Sequence, residues 1–315
     1  MSEHYQFQAI EYAGLKKGHK LIVTGSVHGN EICGPIAIRR ILADIERGDI
    51  RIVAGQVTFV PVTNPLAHAN RRRNGDRNLN RNLSPTNDPK DFEDHIANWL
   101  CPLFARHEIL LDVHSTTARN PAFAMLGPPD NNGTVEPFKH HDKERAWALR
   151  LGVHRFVDGW LSTYATGVER RRASGHGNPL NTESKYGVGT TEYMRSVGGC
   201  AITLEAGQHD APESPEVAYQ AIRNTLAYFG ISSEAPPAPV TDVEKLHLYD
   251  VIDKLHEGDT FVKAWGSFHA LKSGDLIGTR HDGTPVLAPE DGCILFPDVK
   301  AQPGNEWFYL TRKVD

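Results

Sequence analysis

Cysteine is scarce: Cys33, Cys101, Cys200 and Cys293 are all the 315-residue chain has, they lie far apart, and none forms a C-x-x-C pair. A disulfide framework of the kind that holds small secreted domains together is thereby excluded, and a reducing compartment is expected. Positive charge is also short. Lys+Arg number 34 against Asp+Glu 39, a net charge of -5, so the electrostatic footprint of a nucleic-acid binder is missing. Long hydrophobic runs are absent too: nothing approaches the ~20 apolar residues of a membrane span. The first residues, MSEHYQFQAIEY, lack the basic-then-apolar order of a secretion signal. These absences predict a cytoplasmic protein with a small-molecule partner, no nucleic acid and no membrane, and they leave room for a homo-oligomer. A hydrophobic content of 39% suits a folded globular chain.

What is present is a set of short apolar runs that stop at Gly, Asn or Ser: KLIVTGSVHG, QVTFVPVTNP, HEILLDVHST and CAITLEAGQ. Such runs read as buried strands that end in loops. GPIAIRRILADIERG places Ile36, Ile38, Ile41, Leu42 and Ile45 at helical spacing behind Pro35, and EDHIANWLCPLFARH and SPEVAYQAIRNTLAYFG follow the same pattern. Buried strands alternating with amphipathic helices predict an α/β fold, a mixed and largely parallel sheet flanked by helices. The proline-rich SSEAPPAPVT at 232–241 reads as a linker. After it, strand-like pieces separated by EGD, SGD, HDG and EDG predict a small all-β unit. Two domains are therefore expected, a catalytic one over 1–235 and a β-rich one over 236–315 that covers the active site. Residues 159–199, rich in Gly, Ser, Thr and Asn, read as a long functional loop.

In GSVHGNE, His28 and Glu31 stand three residues apart just after a strand end, close enough to reach one ion. A catalytic zinc takes three protein ligands and leaves a position open, so a third donor must come from elsewhere. His114, ending ILLDVHS, is the best candidate, with Asp112 two residues earlier as support for a ligand histidine. Strand ends of an open α/β sheet are where ligands bind. Glu205, closing the apolar run ITLEAGQ, is a carboxylate costly to bury without a task, and a general base is the task a metal-activated water requires. Between Arg71 and Arg81 five arginines alternate with asparagines. A guanidinium there can grip a carboxylate in two parallel hydrogen bonds, or polarise a scissile carbonyl.

Together, HGNE at 28–31, NP at 64–65, NLNR at 78–81, DVHS at 112–115 and the LEAG around Glu205 resemble the aspartoacylase and succinylglutamate desuccinylase family, relatives of the zinc carboxypeptidases. The resemblance spans most of the chain, the C-terminal β unit included. It implies a zinc-carboxypeptidase-like fold and one zinc ion per chain held by His28, Glu31 and His114. It further implies Glu205 as general base and acid, Arg73 polarising the amide carbonyl, and Asn80 and Arg81 holding a substrate carboxylate. Arg195, ten residues before Glu205, stands where the family grips a second carboxylate, and Tyr309 is the C-terminal tyrosine that can enter the pocket. One departure is visible: the family commonly reads D-L-N-R where this chain has Asn78. The function so implied is zinc-dependent hydrolysis of a linear amide, that of an N-acyl amino acid or a related small carboxylate-bearing amide. A metallocarboxypeptidase acting on peptides and a metal-binding module without catalysis are the competing readings.

Overall fold

The computed structural model describes residues 5–175 and 181–314. Its main sheet contains β1 (Ile10–Ala13), β2 (Lys16–Gly25), β3 (Ala54–Val60), β4 (Ile109–Thr116), β5 (Phe123–Met125), β6 (Arg155–Asp158), β7 (Cys200–Gln208) and β8 (Glu244–Asp253). Six further strands follow: β9 (Thr260–Phe261), β10 (Ala270–Leu271), β11 (Leu276–Thr279), β12 (Pro285–Leu287), β13 (Gly292–Leu295) and β14 (Glu306–Lys313). The helices are α1 (Cys33–Arg47), α2 (Pro65–Ala69), α3 (Phe92–Phe104), α4 (His141–Ala148), α5 (Trp160–Ser174), α6 (Thr190–Ser196) and α7 (Ser214–Tyr228).

The expected α/β architecture is what forms. Strands β3, β2, β4 and β7 run parallel at the centre, in the order β1-β3-β2-β4-β7-β5-β6-β8. Their side chains alternate between two cores, as the pleat requires. On one face Leu21, Val23, Ile109, Leu111, Val113, Ile202 and Leu204 pack with Ile38 and Ile41 of α1 and with Ile222 and Leu226 of α7. On the other, Ile22, Leu110 and Ala201 meet Ile96, Leu100 and Phe104 of α3. Both faces are covered, which is why these strands read as continuous apolar runs. Each fully buried Leu or Ile contributes about 1.5–3 kcal/mol.

One expectation needs correction. Residues 159–199 are not one loop: α5, a 3-10 turn over Ser184–Gly187 and α6 occupy most of the stretch, and 176–180 lie outside the described residues. The inward face of α5 is Thr163, Tyr164, Gly167, Val168 and Arg171, too polar to show as an apolar stripe. The C-terminal part expected over 236–315 is continuous with the main sheet. It is all-β among the described residues and has a core of its own around Trp265, Ile277, Ile294 and Trp307. Yet β8 pairs in parallel with β6, and β14, β13 and β10 continue outward from it, so one eleven-stranded sheet runs through both parts. A second cluster, Phe123, Val157, Leu246, Val251 and Tyr309, bridges them.

Candidate metal centre and substrate cavity

At the carboxyl ends of β2, β4 and β7 the chain turns into loops, and there the sheet register sets the chemistry. His114 and Glu205 are paired residues on neighbouring strands. The loop after β2 carries His28 and Glu31 to the same place. Gly29 permits this, because a Cβ there would lie 2.0 Å from the backbone of Ala67 in α2. Donor atoms of His28, Glu31 and His114 all fall within 4.8 Å of one another, and the three residues are buried.

Both imidazoles turn Nδ1 inward. Nδ1 of His28 is 2.8 Å from one oxygen of Glu31, and Nδ1 of His114 is 2.9 Å from the other. The Nε2 atoms face away and are fixed from behind. His28 Nε2 donates to Asn78 Oδ1 at 3.0 Å, and His114 Nε2 donates to Asp112 Oδ2 at 2.8 Å. With Nε2 donating backwards, Nδ1 is the nitrogen each imidazole would present to a metal ion in its neutral form, the orientation a metal ligand needs. Two nitrogens and a carboxylate converging on one point form a donor set suited to a divalent ion such as zinc. Asp112 is itself held by Thr24 Oγ1 at 2.6 Å and by Thr190 Oγ1.

The electrostatics follow from burial and neighbours. Burial and the Arg73 charge push His28 down to about 4. Burial acts the same way on His114, but Asp112 and Glu31 outweigh it and hold that imidazole well above its ordinary value. Burial raises Glu31, yet the two histidines outweigh it and the carboxyl lies well below the usual range. Glu205 is the opposite case. Burial, with Glu31 and Asp112 nearby, pushes it up to about 8 against the pull of His114 and Arg73, and its buried Oε2 has no hydrogen-bond partner among the described residues.

A cavity of about 520 Å³ opens beside these groups, within the range of small-ligand sites. Arg73 reaches Glu31 at 3.3 Å from an exposed position on the cavity wall. Arg81 lies along the wall over the rings of Trp160 and Tyr164 and donates to Asn80 O. Asn80 turns its Oδ1 to the amide of Thr190 at the start of α6. The C-terminal part supplies the facing wall, including Ser267, Phe296, Glu306 and Tyr309. The Tyr309 hydroxyl is buried there without a partner among the described residues.

Arg195 also borders the cavity. It is buried and enclosed by Glu136, Glu144 and Glu192, so it offers no open fork to a substrate. Asn78, Thr24 and Thr190, which steady His28 and His114 directly or through Asp112, are the residues that sequence reasoning missed. Only Asn78 gave a signal, standing where the family commonly has Asp.

The fold and centre thus define an α/β protein with a buried His-Glu-His group that could hold a metal ion at the carboxyl end of its sheet. Residues 17–132 match the family model of the Succinylglutamate desuccinylase/Aspartoacylase catalytic domain, so the resemblance carried by the motifs is borne out, and that family is one of deacylases. Among solved structures, a succinylglutamate desuccinylase/aspartoacylase from Rhodobacter sphaeroides superposes with a TM-score of 0.72 at 16% identity, over 98% of this chain and 89% of that one. The succinylglutamate desuccinylase of Vibrio cholerae gives 0.71 at 18% identity, over 98% and 86%. The product-bound ectoine utilization protein EutE (DoeB) of Ruegeria pomeroyi gives 0.69 at 18% identity, over 96% and 87%. At such identities the likeness speaks for the fold. No curated protein matches the chain in sequence.

Proposed function

We propose that the protein is a zinc-dependent amidohydrolase that cleaves the amide of an N-acyl amino acid or a related small carboxylate-bearing amide. The observation that carries this reading is Glu205: a buried carboxylate with an unpartnered oxygen, lining the cavity beside the His28, Glu31 and His114 cluster. In this reading those three residues hold one zinc ion, which when bound supplies Lewis acidity to a water and to the scissile carbonyl. Glu205 takes the proton of the attacking water and returns it to the departing nitrogen. The positive charge of a bound cation would draw Glu205 down from its raised value and favour the base form. Arg73 donates to the carbonyl oxygen as negative charge gathers on it. Arg81, with Asn80 and the Tyr309 hydroxyl, orients the substrate through its free carboxylate, so that remote binding positions the amide.

The cavity wall supplied by the C-terminal residues favours small acylated amino acids over peptides, which sets this reading above a carboxypeptidase. A cytoplasmic setting suits four cysteines that are all unpaired. Among the described residues no helix is long and apolar enough to cross a membrane. Turnover of N-acyl amino acids by the zinc-loaded protein, read out as free amine, tests the proposal. Glu205→Gln should keep its zinc and lose activity by about 100-fold or more. Full turnover in that variant would sink the assignment.

A further inference from the structure

The enclosed arginine decides the substrate class further, on the footing of the deacylase reading above. A guanidinium has five N–H donors. In Arg195 all of them have acceptors inside the protein. Nε donates to Glu144 Oε2 at 3.2 Å. Nη1 donates to Glu136 Oε1 at 2.8 Å and lies 3.5 Å from Glu192 Oε1. Nη2 donates to Glu144 Oε1 at 3.2 Å and to the Ala201 carbonyl at 2.6 Å. The side chain is only 3% exposed. Its position is fixed from three sides, by α4 through Glu144, by the segment before it through Glu136, and by α6 itself through Glu192.

The charge of this corner is negative. Three carboxylates surround one guanidinium, and Glu192 and Arg195 both line the cavity. Burial, with Glu192 and Glu144 adding to it, pushes Glu136 up to about 7 against the pull of Arg195. Even with Glu136 protonated, the cluster keeps a net negative charge. Other cavity cations are also engaged: Arg77 pairs with Asp91 and Asp94, and Arg73 with Glu31. Lys300 sits exposed at the rim. Arg81 is then the one lining cation away from the exposed rim with no carboxylate within ion-pair distance among the described residues. It rests instead on Trp160 and Tyr164.

We infer that the substrate carries one carboxylate and no more: an N-acyl amino acid whose acyl group and side chain are neutral or cationic, the Arg195 cluster excluding a second carboxylate. A carboxylate brought to that corner would meet Glu192 with no free donor to offset the repulsion, whereas an amine or a neutral chain would not.

The test is a panel sharing one acyl group, N-acetyl derivatives of neutral, basic and acidic amino acids, with N-succinyl counterparts added, run on the zinc-loaded protein. The neutral and basic N-acetyl compounds are expected to exceed the acidic and N-succinyl ones in kcat/KM by roughly tenfold or more, the scale on which pocket mismatches discriminate. Equal or better turnover of the dicarboxylates overturns the inference and leaves the deacylase reading standing. No hydrolysis of any compound removes that reading and the inference together. Glu136→Ala, which frees an Nη1 donor and removes a charge, should shift the dicarboxylate-to-monocarboxylate ratio of kcat/KM upward by roughly tenfold. An unchanged ratio rules the cluster out as the cause. Should that variant fail to fold, Glu136→Gln removes the charge while keeping a hydrogen-bonding side chain, and the same ratio is read.

Discussion

Asp112 receives three hydrogen bonds on its two oxygens, from Thr24, Thr190 and His114, and is fully buried. Its charge both orients His114 and raises the basicity of that imidazole. Asp112→Asn should therefore weaken zinc binding about 10- to 100-fold, measured by competition with a chromophoric chelator. Residues of this kind mark the limit of what is legible in the sequence. His28, Glu31, His114 and Glu205 stand out because each sits at a recognisable strand end. Thr190 does not, because its role depends on one hydrogen bond across 78 residues of chain. Arg195 shows the same limit from the other side. Its spacing to Glu205 fits a substrate-gripping arginine, but its state is set by Glu136 and Glu144, 59 and 51 residues away.

At the scale of elements, the strands and helices of strong apolar period, β2, β4, β7, α1, α3 and α7, were readable because burial and periodicity agree in them. The short strands β5 and β6, of three and four residues, carry too few positions for a pattern, and α5 presents a polar face inward. The loop between β2 and α1 depends on a missing side chain. Gly29→Ala would drive a methyl group into the α2 backbone, and a loss of about 3 kcal/mol or more is expected in denaturant unfolding, with weakened metal binding alongside. Farther along, Asp259 accepts backbone hydrogen bonds from Leu255, His256 and His281 and one from Arg280. These contacts hold its carboxyl at about 2, below the ordinary 3.8. A depressed carboxyl stabilises the fold above about 3.8 and ceases to do so as pH falls toward 2. That difference is worth about 2 kcal/mol. Asp259→Asn should accordingly be less stable by that amount at neutral pH, and thermal melts should find its deficit shrinking as the pH is lowered through this window.

For the whole molecule, the His28, Glu31 and His114 group joins two segments far apart in the chain, so a metal ion bound there should stabilise the fold rather than the site alone. Zinc at a hundredfold excess over its Kd adds about 2.7 kcal/mol. Its removal by a chelator should lower the thermal midpoint, and its return should restore it, as calorimetry can follow. The pairing of β8 with β6 carries a different consequence. A chain cut near residue 240 would not become an enzyme with an open mouth. It would expose the outer backbone row of β6 as an unpaired edge, next to apolar Phe123 and Val157 stripped of their cover. Such a fragment should self-associate, and size-exclusion chromatography of the truncated chain would register oligomers or precipitate where the full chain elutes as a defined species. Cavity shape can then be redesigned by exchanging the residues around Phe296 and Ala301, whereas whole-module deletion trades selectivity for aggregation.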